Sequence, residues 1–194
     1  MASTRTTSRT FGTAVRALAL ATVGLGIIYP TAVWAVGQVA LPAQANGSLI
    51  QNADGDVVGS ALLGQPFTDE DGMPLVEYFQ PRPSAVGYDA GNSSGSNLGP
   101  ENPDLIAAIT ERLAAGASEP DALTSSSSGL DPHISVENAT SQATAVAKAR
   151  GLATTDVLAL VESHTQPRDL GYLGEPTVNV LQLNLALDAL SKNE

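Results

Sequence analysis

The chain has 194 residues, with 20 acidic side chains against 9 basic ones, no cysteine and 4% aromatic residues. That length suits one domain of moderate size with an appendage, and the lack of cysteine excludes disulfides, thiolate metal sites and cysteine nucleophiles. Arg5, Arg9 and Arg16 precede every acid; setting these three aside leaves 6 bases against 20 acids in residues 17–194, a net −14 that argues against nucleic-acid binding.

Residues 17–36, "ALALATVGLGIIYPTAVWAV", carry no charge, and none follows before Asp54. A helix of that length spans ~30 Å, the thickness of a bilayer core. Tyr29 and Trp34 lie in its second half, as interfacial rings do, and Pro30 predicts a kink. The arginines ahead of it predict a cytoplasmic amino terminus. The expected organisation is a cytoplasmic tail over residues 1–12, a transmembrane helix over 13–37 and an extracytoplasmic domain over 38–194. The competing reading is a cleaved signal peptide, with Ala43-Gln44-Ala45 as an A-x-A site. The apolar stretch exceeds the usual ~7–15 residues of a signal core, which favours a retained anchor. Ala17, Ala21 and Gly24 share one helical face, which suits close approach of another helix.

Beyond the anchor, "GSLIQ" and "VVGSALLGQ" are short, apolar and bounded by glycine, so they predict a strand pair. Residues 66–103 are rich in Pro, Gly, Asn and Ser and predict a long irregular stretch. Asn102 as cap and Pro103 at the first position open a helix carrying Leu105, Ile106, Ile109 and Leu113 and ending near Gly116. "DALTSS" predicts a short strand. Ser135 caps a helix with Val136, Ala139, Ala143, Val146, Ala147 and Arg150 at helical spacing, stopped by Gly151. Thr154 or Thr155 caps the next, with Val157, Leu160 and Val161 on one face; a strand over 177–181 and a final helix follow. The sum is an α+β (mixed α/β) extracytoplasmic domain tethered by one N-terminal transmembrane helix.

Two patterns raise the question of a hydrolase. Residues 91–95 read G-x-S-x-G, but the nucleophile elbow needs a strand before and a helix after, and here both flanks are loop. "SSSSGLDPHIS" (125–135) places serines, Asp131 and His133 together; Asp131 suits a turn or helix cap. His164, the only other histidine, falls at a predicted helix end, where an imidazole meets the carboxyl-end dipole. No phosphate-binding glycine motif is present and neither histidine has a metal-ligand partner at suitable spacing. The residues alone therefore offer no self-sufficient active site. A secreted serine hydrolase using Ser93 or Ser128 with His133, and a free-standing solute- or cation-binding domain, stand as the alternatives.

Several strings remain: "YP" (29–30), "QANGSLI" (44–50), "GSALLGQPF" (59–67), "YFQPRPSA" (78–85), "GSNLGP" (95–100), "SGLDPHIS" (128–135), "ARGL" (149–152) and "LGEPTVNVLQLNLALD" (173–188). In that order they closely resemble the KdpC family, the C subunits of the Kdp high-affinity potassium-transporting ATPase. The resemblance implies a non-catalytic accessory subunit of an ATP-driven potassium uptake pump, in the plasma membrane, with a single pass. Its implied partners are a channel-like potassium-binding subunit, a P-type ATPase subunit, a small single-helix subunit and the lipid bilayer. It implies a part in assembly and stability of the complex, and in raising the ATPase subunit's affinity for ATP. A glutamine after "DPHIS" is linked to nucleotide in the family, and Gln142 stands there. The arginine rule places this residue across the membrane from cytoplasmic ATP, so contact with partner subunits is the simpler physical role. No cofactor is expected to be firmly bound.

The same strings nominate structural or partner-contacting residues. Arg82, held between two prolines, is expected to pair with a carboxylate inside the domain or to dock on a partner. Ser96, Asn97 and Gly99 suit a tight turn; Asp131 and Ser135 are caps first. Ser84 and His133 are polar residues within the strings, and Asn179 and Asn184, among apolar neighbours, demand buried hydrogen-bond partners. The family's usual glycine is Ser127 here, which predicts a slightly altered turn.

Overall fold

The structure, a computed structural model, describes residues 4–52 and 54–191. It divides into two compact units, Met1–Ser48 and Leu49–Glu194. In the first unit, α1 (Thr4–Val23) runs through a π-helical turn (Gly24–Ile28) into α2 (Tyr29–Ala40), followed by a short turn α3 (Pro42–Ala45). Ahead of Pro30, where a kink is expected, the helix takes that π turn. Pro30 has no N–H and its ring crowds the carbonyl four residues back; the preceding Tyr29 N–H reaches five residues back, to the Gly24 carbonyl. Among the described residues one helical run, Ser8–Ala40, is long and apolar enough to cross a membrane, and none of it is buried by the chain itself. Leu18, Leu20, Leu25 and Trp34 are exposed along it.

The second unit opens with the expected antiparallel pair, β1 (Leu49–Gln51) and β2 (Val57–Ser60), Ile50 opposite Gly59. At Gly59 a Cβ would come within 2.7 Å of Leu181 Cδ2 and 2.8 Å of Gln65 Oε1, so a larger residue would have to displace those side chains. Residues 66–102 form no helix or strand. α4 (Pro103–Ala114) begins as its sequence dictates, with the Asn102 side chain accepting from the Asp104 N–H and Pro103 in the first turn. "DALTSS" is not a strand: Pro120 opens a single helical turn, α5 (Pro120–Leu123), whose Pro-Asp start suits a helix amino terminus better than a ladder.

β3 (His133–Ser135) leads directly into α6 (Val136–Arg150), capped by Ser135 Oγ and ended by Gly151 at φ 71°. α7 (Thr154–Ser163) starts at the expected place, but Ala153 occupies the cap position and no threonine hydroxyl caps it. β4 (Thr165–Gln166) and β5 (Thr177–Asn179) follow, and α8 (Val180–Ser191) continues from β5 without a loop, so the helix starts earlier than expected. The strands form an antiparallel sheet in the order β3-β5-β4, with Ile134 opposite Val178 and Thr165 also opposite Val178. Ile134 and Val178 face the core, where Ala139, Ala143, Val146 and Ala147 of α6 meet Val157 and Val161 of α7 and Leu183 and Leu187 of α8. Small residues on α6 allow close helix packing, and Phe79, from the irregular stretch, fills the remaining space at 0% exposure.

Candidate functional site

The segment 77–84, "EYFQPRPS", lies across the core without a strand partner. Pro81 and Pro83 have no N–H to give a ladder, which bars the segment from a sheet interior. Its backbone is satisfied by side chains instead. Asn184 of α8 accepts from the Phe79 N–H at 2.9 Å and donates to the Phe79 carbonyl at 3.0 Å. Gln142 of α6 does the same for the next residue, accepting from the Gln80 N–H at 2.7 Å and donating to the Gln80 carbonyl at 3.1 Å. A primary amide presents one acceptor and one donor side by side, so it reproduces the pairing that a neighbouring strand would supply. On either side, Arg150 Nε donates to the Glu77 carbonyl at 2.7 Å, Tyr88 Oη to the Arg82 carbonyl at 2.6 Å and the Ser126 N–H to the Pro83 carbonyl at 2.8 Å.

Gln142 is itself positioned by a chain of polar contacts. Its Nε2 also donates to Asn138 Oδ1 at 2.9 Å, one helical turn back. Asn138 Nδ2 donates to Asp121, which in turn receives the Ser135 N–H at 2.7 Å and the Ser135 hydroxyl at 2.9 Å. Beside Gln142 lies an open cleft of about 470 Å³, with Arg112, Ser118 and Ser141 also on its walls. Arg112 Nη1 donates to the Leu123 carbonyl at 2.6 Å.

Arg82 takes the internal role: its Nη1 meets Asp131 Oδ2 at 3.2 Å. Asp131 also accepts the His133 N–H at 3.0 Å, an Asx turn, and has His133 Nδ1 at 3.7 Å. Among the described residues, Arg82 Nε is the one buried side-chain polar atom without a hydrogen-bond partner. Burial pushes the Asp131 carboxyl upward, but hydrogen bonds from the ring and backbone of His133 and from Arg82, with the guanidinium charge, outweigh it and hold the group below the ordinary carboxylate value. Burial and the nearby Asp131 charge raise the Tyr88 phenol well above its usual value, against the pull of Arg82. Because the folded value of Asp131 is depressed, its charged form stabilises the fold above the unfolded value near ~4 and that contribution is lost as pH falls through the folded value. Asp131→Asn is therefore expected to melt below the parent protein at pH 7, with the gap narrowing as the pH drops below about 4; an equal gap at both pH values in thermal melts would overturn this.

Ser84 Oγ donates to the Gly129 carbonyl at 2.7 Å and accepts from the Val86 and Tyr88 N–H groups, tying two loops together. Gly129, at φ 69°, leaves no space for a Cβ, which would lie 2.6 Å from the Ser94 carbonyl oxygen. The left-handed residue of this turn is Gly129, and Ser127 has no positive φ, so serine at 127 causes no backbone strain there. Asn179 caps α8 through the Gln182 N–H at 3.1 Å and donates to the Ala61 carbonyl at 3.0 Å. Both Asn179 and Asn184 thus have the buried partners they demanded. Ser96, Asn97 and Gly99 are exposed and lie in irregular chain rather than in the expected tight turn, which begins at Gly99 with the Asn102 N–H on its carbonyl; Asn97 has φ 55° and its Nδ2 lies 3.2 Å from the Gly95 carbonyl. Among the described residues no hydrogen bond joins these three to the stitched segment.

The hydrolase geometry does not form. Ser93 Oγ donates to the Ser128 carbonyl at 3.0 Å, and Ser128 Oγ pairs with Ser126 Oγ at 3.2 Å. Among the described residues no serine hydroxyl is bonded to His133. His164 sits as expected at the end of α7, Nδ1 2.9 Å from the Leu160 carbonyl.

Sequence reasoning missed Gln80, Asn138, Asp121, Tyr88 and Arg150. Gln80 and Tyr88 belong to or follow the "YFQPRPSA" string. Asn138 and Gln142 are four apart on a helix whose inward face is otherwise alanine and valine, a polar pair that signals an internal network. Arg150 lies in "ARGL" and closes the end of α6, with its guanidinium 4.5 Å over the Tyr78 ring and 2.7 Å from Asp188 Oδ1.

The family described as KdpC, K+-transporting ATPase, c chain, matches residues 11–189. The chain is similar to the potassium-transporting ATPase KdpC subunits of Kineococcus radiotolerans (54% identical over 181 residues, 88% of each chain) and Caulobacter vibrioides (53% over 185 residues, 91% of each). It is also similar to that of Mycobacterium tuberculosis, at 51% over 189 residues, 91% of this chain and 96% of the relative. The matched span takes in the apolar helix, the stitched segment and both amide side chains that hold it: this chain belongs to the KdpC family, the c chain of the K+-transporting ATPase.

Proposed function

We propose that this chain is a non-catalytic accessory subunit of the potassium pump, held in the membrane by its amino-terminal helix. Its domain lies outside the cytoplasm and steadies the assembly of a channel-like potassium-binding subunit, a P-type ATPase subunit and a small single-helix subunit. The observation that carries the reading is the stitched segment. Gln142, Asn184, Ser84, Arg82 and Asp131 direct their polar atoms to their own chain, which suits a rigid scaffold rather than a reacting centre. The sequence also lacks the D-K-T-G phosphorylation motif of a P-type ATPase. Any influence of Gln142 on the affinity of the pump for ATP acts through the fold, because its amide is engaged with Gln80 and Asn138.

The chain has no cysteine, so one can be introduced as a unique label. Ser127→Cys, at an exposed position, is expected to react with a membrane-impermeant maleimide on intact cells, and the labelled protein to co-purify with the ATPase chain. Labelling only after lysis would reverse the orientation, and purification free of any ATPase chain would sink the accessory reading.

A further inference from the structure

Pro30 and the π turn ahead of it leave the apolar helix one donor short. A carbonyl accepts from the N–H four residues on in a regular helix, and five residues on in a π turn. For Leu25 those residues are Tyr29 and Pro30. Tyr29 gives its N–H to the Gly24 carbonyl, and Pro30 has none to give. The Leu25 carbonyl is left with neither ladder donor, and among the described residues no side chain donates to it. Leu25 is the ninth of the twenty charge-free residues 17–36, near the middle of the span. Hydrocarbon at that depth offers no water to complete the ladder. The backbone there is also open. A Cβ built at Gly24 would meet nothing within 4 Å, and at Gly26 the nearest atom is Thr22 Cγ2 at 3.9 Å. Leu25 is 71% exposed and Ile28 62%.

We propose that the Leu25 carbonyl is the docking point for one neighbouring transmembrane helix of the pump, which supplies a neutral hydrogen-bond donor (Ser, Thr, Asn or Gln) at mid-depth; this rests on the accessory-subunit reading above. The missing bond selects the occupant. Lipid tails carry no donor, so the bilayer itself cannot complete the ladder. A charged donor is costly at that depth, which favours a hydroxyl or an amide. A second copy of this chain, lying parallel, would bring its own Leu25 to the same level. Its nearest hydroxyl along the helix, that of Thr22, stands three residues or ~4.5 Å toward the amino-terminal end. Gly24 and Gly26, without side chains, let the donor's helix come close enough to reach a backbone atom.

In the full-length chain, Pro30→Ala restores the N–H, so the ladder closes without a partner. The variant is expected to stay in the membrane, to keep the parental melting midpoint, and to release from the purified pump about three- to tenfold more readily. A photo-crosslinking residue at Ile28, whose side chain overlies the preceding turn, should give an adduct on one helix of another pump chain in native membranes. Replacing the Ser, Thr, Asn or Gln nearest that adduct by Ala should raise release by the same factor. Combined with Pro30→Ala it should raise release no further, because each change removes the same bond. Additive effects, or release of Pro30→Ala at the parental rate, would overturn the docking point while leaving the accessory role intact. Adducts with lipid, with a second copy of this chain, or with a helix that has no such donor at that depth would overturn it as well. A parent protein that joins no pump chain would remove both readings together.

Discussion

Phe79→Ala is expected to destabilise the second unit by about 3–5 kcal/mol, the range for truncating a fully buried aromatic ring. The side chain is 0% exposed and meets the cluster built from α6, α7, α8 and the sheet. Its backbone belongs to no helix or strand and is held through the Asn184 side chain, so a cavity there also loosens the segment that carries Arg82 and Ser84. At roughly 2–4 °C per kcal/mol for a domain of this size, the midpoint should fall by about 6–20 °C. Thermal and denaturant unfolding of the full chain in detergent would read this, and a midpoint within about 2 °C of the parent would show that Phe79 does not close the core.

The amide clamps give the second large effect. Asn184→Ala leaves the Phe79 N–H and C=O without partners in a site where Asn184 itself is 1% exposed. At about 1–3 kcal/mol for each unsatisfied buried group, a loss of roughly 2–6 kcal/mol is expected. Gln142→Ala should cost less, about 1–2 kcal/mol, because Gln80 borders the open cleft and water can replace the amide. The two substitutions strand adjacent residues of one segment, so their effects should not add, and a double-mutant cycle measures the coupling. The same variants separate a structural from a direct nucleotide role for Gln142. A change in the ATP affinity of the pump with no loss of stability in Gln142→Ala would favour direct contact; the expected loss of about 1–2 kcal/mol in nucleotide-free protein would favour the clamp.

Legibility in the sequence followed locality. Asn102, Ser135 and Gly151 were readable as caps because a cap acts within three residues of itself. The α6 and α7 faces were readable because helical periodicity places Ala139, Ala143, Val157 and Val161 on one side each. Where two local codes competed, the reading failed. "DALTSS" follows Pro120, and the proline set a helical turn against the β-tendency of its threonine. α7 begins beside two threonines, either able to cap, yet Ala153 holds that position. Of the two roles expected for Arg82, an internal carboxylate or a partner, the fold supplies the first, but Asp131 lies 49 residues away and no spacing rule names it.

The sequence by itself determined the apolar helix, the helical faces and the strings that mark the KdpC family, because charge-free length, 3.6-residue periodicity and ordered identity are properties of neighbours along the chain. The tertiary structure alone decided which groups satisfy the Pro-interrupted segment 77–84. Prolines make it unfit for a sheet, so its carbonyls and N–H groups require partners from wherever the fold brings them. Asn184 stands 105 residues from Phe79 and Gln142 62 residues from Gln80. Pairings over such distances depend on how α6 and α8 pack, and packing is a property of the whole core.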